Sequence, residues 1–266
     1  MSEQQLVLMR MPLGPLGTNC YVIGDKAIGE AFIIDPATAE VLDALKKHDL
    51  KPKAVVLTHG HGDHIGGIQE IVNTYHVPVY IHKGDVPYLS DPELNLSAYS
   101  NPTPIMVKAE IIEVKQGDHI TCGDIDLEVL ETPGHTPGGV CYYMEGLVFV
   151  GDTLFRDSVG RTDFPNGSYE TLISSIKTQL YTLPDNTMVY PGHGKFIMNT
   201  TLEKLKERIK DKKYKLTTQR QTILQAFIDA DENHLSAEDV YVLVKEVAPD
   251  IGLATIYRTL DLFTEL

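Results

Sequence analysis

At 266 residues the chain has room for one large domain, or for a medium domain with a small appendage, and 42% hydrophobic residues can build a real core, which excludes disorder as the main state. Lys+Arg 23 against Asp+Glu 37 leave a net charge of −14, which argues against a chain devoted to nucleic acid or to anionic membranes. Three cysteines without a CxxC pair give no disulfide framework, the N-terminus lacks a leader pattern, and no apolar run approaches the roughly 18 residues of a membrane span; a soluble protein of the reducing cytoplasm, with no membrane partner, is expected.

In chain order, short runs rich in Val, Ile and Tyr, bounded by Gly, Pro and Asp, predict strands at Cys20–Ile23, Ala31–Asp35, Ala54–Thr58, Val79–His82, Ile111–Val114, Ile125–Glu131, Gly139–Met144, Leu147–Gly151 and Met188–Tyr190. Between them, helices are expected near Ala37–His48, Gly66–Tyr75, Tyr169–Tyr181 and Thr200–Lys210. This order implies an α/β (α+β) domain of sheets covered by helices over residues 1–210, followed by a small all-α segment, 211–266. Charge supports the division, because residues 1–202 hold −12 of the net charge and residues 203–266 only −2. Eight basic residues against three acidic ones in 203–220 read either as a solvated helix end and linker or as a phosphate-contacting patch.

The densest chemistry lies in AVVLTHGHGDHIGG, where His59, His61, Asp63 and His64 fall within six residues after an apolar strand. Alternate residues at a strand end project to one side, so His59 and His61 can approach one ion while Asp63 and His64 reach a second, and the interspersed glycines allow the tight backbone. His135 in ETPGHTPGG, Asp152 in LVFVGDTLF and His193 in VYPGHG also follow apolar runs. One Gly-His pair is ordinary for a capped loop, but five of the ten histidines in such loops are not. Seven donors exceed one tetrahedral site, which divides them into His59, His61 and His135 on one ion and Asp63, His64 and His193 on another, with Asp152 bridging. Imidazole and carboxylate without thiolate suit an open catalytic centre of two divalent ions, zinc first, with iron or manganese as alternatives, and a water between two such ions becomes hydroxide near neutral pH.

THGHGDH with the downstream His135, Asp152 and His193 resembles the metallo-β-lactamase superfamily over about residues 8–200, which implies an αββα sandwich with a dinuclear site at one edge. TNCY at 18–21, GDTLF at 151–155, GRTDFP at 160–165 and YPGHG at 190–194 are similar to its glyoxalase II-like branch, the hydroxyacylglutathione hydrolases. That resemblance implies hydrolysis of a small-molecule thioester by a metal-bridging hydroxide, with Asp63 orienting it and taking its proton. Arg161 falls where glyoxalase II enzymes carry a basic residue for the thiol cofactor and so resembles a carboxylate contact; the aromatic residue expected two positions later is Asp163. GRTDFP is also similar to the persulfide dioxygenases of the superfamily, which use one iron, and these are the alternative.

From Tyr214 three amphipathic helices can be drawn. Thr218-x-x-Gln221 and Ser236-x-x-Asp239 look like capping boxes; Ile223, Leu224 and Phe227, then Val240, Leu243, Val244 and Val247, are expected on buried faces. In the third, Ile256, Leu260 and Phe263 face inward, whereas Thr255, Tyr257 and Arg258 lie near the helix start, where a recognition helix meets a major groove. LTTQRQTIL, HLSAEDVY and DIGLATIYRTLDLF resemble the winged-helix half of the ferric uptake regulator family without its wing or dimerisation region. A wingless module makes few phosphate contacts, so weak DNA binding, a packing or dimerisation element, or a vestigial fusion is implied. A DNA-associated regulator sensing a metabolite or metal is the alternative from another class, and a nuclease is disfavoured by the acidity of residues 1–202. Composition is silent on oligomeric state.

Overall fold

The computed structural model describes residues 6–198 apart from Asp157, together with Gln219, Thr222, Ile223, residues 237–252, Thr255, Ile256 and Thr259. The chain divides into two compact units, Met1–Asn199 and Thr200–Leu266. In the first, β1 (Leu6–Leu13), β2 (Thr18–Asp25), β3 (Glu30–Ile34), β4 (Lys51–Val56), β5 (Val79–His82) and β6 (Ile111–Val114) form a six-stranded sheet in sequential order. The first three strands pair antiparallel and β3 to β6 pair parallel. Parallel neighbours require crossovers, supplied by α1 (Val41–Lys47) and by the consecutive helices α2 (Gly62–Ile65) and α3 (Ile68–Tyr75), while the short α4 (Ser97–Ser100) lies between β5 and β6. The second sheet joins β7 (His119–Cys122), β8 (Ile125–Glu131), β9 (Val140–Met144), β10 (Leu147–Gly151), β11 (Met188–Pro191) and β12 (Ile197–Met198) in the order β12-β11-β10-β9-β8-β7. Only β10 and β11 pair parallel there, and α5 (Tyr169–Ser175), continued by a π-helical turn over Ile176–Leu180, connects them.

Alternation along the strands decides the layers. Tyr21, Ile23, Phe32, Ile34, Ala54 and Val56 point from the first sheet into one cluster with Leu127, Val129, Val140, Tyr142, Leu147 and Phe149 of the second. The residues between them, Cys20, Val22, Ala31, Ile33 and Val55, pack instead against Val41, Leu45, Ile68 and Ile71 of α1 and α3. On the far side, Cys141, Val148 and Val150 meet Leu172, Ile176 and Leu180. The result is an αββα sandwich, the architecture the motifs implied. Phe149, fully buried between the sheets with its ring centroid 5.1 Å from that of Tyr21, is central to it. Phe149→Ala is expected to cost about 3–5 kcal/mol, read as a lower urea midpoint at unchanged slope.

Most predicted strands appear within a few residues of their expected limits, and the three unforeseen ones, β1, β7 and β12, are all edge strands. The helix expected from Ala37 begins at Val41, because residues 36–38 are held by the turn after α2: Gly67 N–H donates to Pro36 O at 2.8 Å, and a Cβ on Gly67 would collide with the Thr38 backbone. The helix expected from Gly66 begins at Ile68. The expected helix at Thr200–Lys210 lies outside the described residues. Cys20, Cys122 and Cys141 are buried and unpaired.

In the second unit α6 (Ala237–Val247) packs Val240 and Val244 into a cluster with Ile223, Ile251 and Ile256. Val247, expected on the same face, is instead 70% exposed, since it closes the last turn of α6 beyond that cluster; Leu243 is only half-buried. Leu224, Phe227, Leu260 and Phe263 lie outside the described residues. Among the described residues no helix is long and apolar enough to cross a membrane.

Candidate metal centre

The seven candidate ligands sit just beyond strand ends or between strands. β4 runs through Leu57 and Thr58 into the loop of His59 and His61, and the one-turn α2 carries Asp63 and His64. His135 lies in the turn between β8 and β9, Asp152 directly follows β10, and His193 comes two residues after β11. The two sheets are tied together at this point: Val140 N–H donates to Thr58 O at 2.9 Å, and the buried Tyr142 hydroxyl donates to Leu57 O at 2.8 Å.

Two clusters result. The donor atoms of His59, His61 and His135 lie within 4.8 Å of one another, as do those of Asp63, His64 and His193. Asp152 stands between them, with Oδ1 3.4 Å from His64 Nε2, and Oδ2 3.7 Å from His135 Nε2 and 3.6 Å from His193 Nε2. The outer nitrogens are already engaged: His59 Nδ1 meets Thr58 Oγ1 at 3.1 Å, His64 Nδ1 meets Asp35 Oδ2 at 3.0 Å, and His135 Nδ1 donates to Arg161 O at 2.6 Å. Each contact turns Nε2 inward, the arrangement by which supporting groups orient metal-ligating imidazoles. His61 presents Nδ1 instead, 3.0 Å from His135 Nε2. His59 Nε2, His64 Nε2 and Asp152 Oδ1 are buried without a hydrogen-bond partner, a costly state that a bound cation would relieve. The residues thus fit divalent cations.

The electrostatics agree. Burial, then the neighbouring imidazoles, holds His59 well below the usual histidine range; burial and His135 bring His61 down to about 3, so both stay in the neutral form that ligates metal. His64 goes the other way: burial opposes its protonation, but Asp63, Asp152 and Asp35 outweigh it and raise it well above the usual value. The negative potential that would hold that proton is the potential a divalent cation would meet. Burial also opposes ionisation of Asp63, yet His64, His193 Nε2 at 3.2 Å and the Thr18 hydroxyl at 2.8 Å keep it a carboxylate, well below its ordinary range.

Asp35 was not anticipated as part of the site. Its buried carboxylate accepts Thr58 N–H at 2.9 Å and the Thr58 hydroxyl at 2.6 Å besides facing His64. It also falls in a grouping with His59 and His64, but with these contacts made it supports the cluster from outside. Its signal was present in AFIID, an apolar run ending in Asp as VFVGD does. Arg161 is exposed, its guanidinium in a two-pronged pair with Asp163 (2.9 and 2.7 Å) and 4.3 Å above the ring of Phe164. Phe164 in turn faces the rings of His61 and His135, at 5.6 and 6.3 Å between centroids, which puts this segment at the rim of the first cluster. Thr255 is half-buried near Gly252, whose carbonyl accepts its N–H, and Tyr257 and Arg258 lie outside the described residues.

Two sheets face to face between helices, with two His/Asp clusters at the strand ends, define a metal-dependent enzyme fold. The chain belongs to the metallo-beta-lactamase superfamily, whose family profile matches residues 13–193. A second profile, the ferric uptake regulator family, matches residues 211–266. The chain is 39% identical over 197 residues to the probable metallo-hydrolase YqgX of Bacillus subtilis, covering 70% of this chain and 89% of that one. It is 33% identical over 192 residues to hydroxyacylglutathione hydrolase GloC of Haemophilus influenzae, covering 70% and 90%. Among solved structures, the BLEG-1 B3 metallo-beta-lactamase superposes with a TM-score of 0.68 at 38% identity, covering 73% of this chain and 94% of that one. TTHA1623 in a di-iron-bound form gives 0.61 at 32% identity, covering 72% and 94%. ETHE1 from Myxococcus xanthus gives 0.60 at 30% identity, covering 73% and 80%.

Proposed function

We propose that the chain is a dinuclear metal hydrolase of the glyoxalase II-like branch, cleaving a thioester of a small thiol. The observation that carries this reading is the pair of donor clusters with Asp152 between them. Similarity to GloC supports the thioester, and similarity to a di-iron protein supports two metals without fixing which. His59, His61 and His135 would hold one ion, Asp63, His64 and His193 the other, and Asp152 both. Two divalent ions bound there would polarise the acyl carbonyl and lower the pKa of a water between them, so that hydroxide is available near neutral pH.

Asp63 is the proposed proton acceptor for the attacking water. Its carboxylate is ionised and fixed by the Thr18 hydroxyl, with 22% of its side chain still exposed. A thiol of pKa about 8.5 leaves as thiolate without a dedicated acid. Arg161 would meet a substrate carboxylate only by exchanging it for Asp163, a swap that keeps the two-pronged geometry.

Similarity to ETHE1 favours a second reading, a mononuclear iron persulfide dioxygenase. The complete second cluster of Asp63, His64 and His193 weighs toward the hydrolase. Metal content of the purified protein, measured beside hydrolysis of S-lactoylglutathione and oxygen uptake with glutathione persulfide, separates the two. Two metals per chain with thioester turnover is the expected result; one iron with oxygen uptake would overturn it. For residues 211–266 we propose a partial winged-helix segment appended to a hydrolase over residues 1–210, with Thr255, Tyr257 and Arg258 as DNA-binding residues of low affinity.

A further inference from the structure

Outside the seven candidate ligands and Asp35, one buried carboxylate joins a ligand-bearing loop of the first sheet to a ligand-bearing loop of the second. Asp85 lies between β5 and the 3₁₀ turn Val86–Leu89, fully buried, and belongs to none of the groupings that could hold an ion. Its Oδ2 accepts the N–H of Gly60, between His59 and His61, at 2.9 Å. Its Oδ1 accepts the N–H of Gly138, three residues after His135, at 2.7 Å.

We propose that Asp85 is the positioning residue of the first cluster, a single carboxylate that sets the spacing between the His59–His61 loop and the His135 loop. The inference rests on the metal-site reading above. Both amides are buried, so without an acceptor each would remain an unpaired N–H in a dry interior. A carboxylate, which only accepts, satisfies both at once; an amide at the same place would satisfy one and turn its NH2 toward the other N–H. The backbones also meet directly: a Cβ on Gly84 would fall 2.9 Å from Gly138 N, and a Cβ on Gly138 2.5 Å from Asp85 N. The segment after β5 holds the ligand loop a second time, since Gly62 N–H donates to Asn95 O at 2.7 Å and buried Asn95 is itself anchored to Tyr88 O at 2.8 Å. The two glycine amides that interleave His59, His61 and Asp63 are therefore both fixed from Asp85–Asn95, and only Asp85 extends that hold to the loop of His135.

Asp85→Asn is the test, with zinc affinity measured by chelator competition and the absorption spectrum of the cobalt-substituted protein as readouts. The expected result is a 10- to 100-fold loss of affinity, the usual effect of disturbing groups behind metal ligands, with a shifted cobalt spectrum at unchanged far-UV circular dichroism. A folded Asp85→Asn protein with wild-type zinc affinity and cobalt spectrum would overturn the proposal. Should the variant not fold, amide hydrogen exchange in the unaltered protein decides: the Gly60 and Gly138 amides are expected to be strongly protected with and without zinc, and exchange at open-loop rates would overturn the assignment. Because exchange needs no metal, a wild-type protein that bound none would defeat the site reading while the two amides still judged Asp85.

Discussion

Asp152→Ala is expected to lose both metals and turnover together, with hydrolysis falling at least about 10²–10³-fold, the cost of removing a single group that organises developing charge. The reason is placement: Asp152 lies within 3.7 Å of nitrogens from both clusters, so its loss opens each of them. His59→Ala should act unevenly, emptying the three-histidine side while leaving Asp63, His64 and His193 able to retain one ion. Elemental analysis beside a thioester assay reads both variants. Full activity in Asp152→Ala would remove the basis for the proposed centre, and equal metal loss in the two variants would show that the clusters do not bind independently.

The other large effect is expected at Asp35. Its carboxylate is buried and receives Thr58 N–H, the Thr58 hydroxyl and His64 Nδ1. Asp35→Ala leaves all three without their partner and removes one of the carboxylates that hold His64 positive, so a stability loss of about 3–5 kcal/mol is expected in the metal-free protein. Asp35→Asn, which keeps one acceptor, should cost less. The backbone sharpens the constraint: Asp35 has φ +51°, a left-handed conformation that Asp and Asn tolerate better than most residues. Chemical denaturation of the two variants after chelation measures the ordering, and equal stability would show that Asp35 supports nothing.

What could be read from the sequence follows a physical division. Strands buried on both faces, such as β3 and β10, are nearly continuous apolar runs and stood out at once. β1, with Arg10 and Pro12 in its eight residues, and β7, with His119 and Thr121 exposed, each border only one neighbour, so half of their pattern belongs to solvent. The seven donors were legible because each follows an apolar run beside Gly or Pro. Asp35 carries the same local signal, an apolar run ending in Asp beside Pro36, but its role, like that of Asp85, shows only through the amides and imidazoles these carboxylates meet, which lie 23 to 53 residues away in sequence. Arg161 was singled out for its charge, whereas its carbonyl, which orients His135, carries no side-chain signature at all.

The seam between the sheets has a consequence for how the protein comes into being. The candidate ligands begin at His59, behind a strand of the first sheet, and end at His193, behind a strand of the second. A nascent chain that has finished only its first sheet presents His59, His61, Asp63 and His64 without the three residues that complete both clusters. Such long-range closure forms late, after the entropy of joining distant segments has been overcome. On the proposed reading, metal capture would mark assembly in two stages: in a refolding experiment one ion would be retained once His135 and Asp152 reach His59 and His61, and the second only once β11 brings His193 to Asp63 and His64, so the moments of uptake would report how the two halves of the sandwich meet.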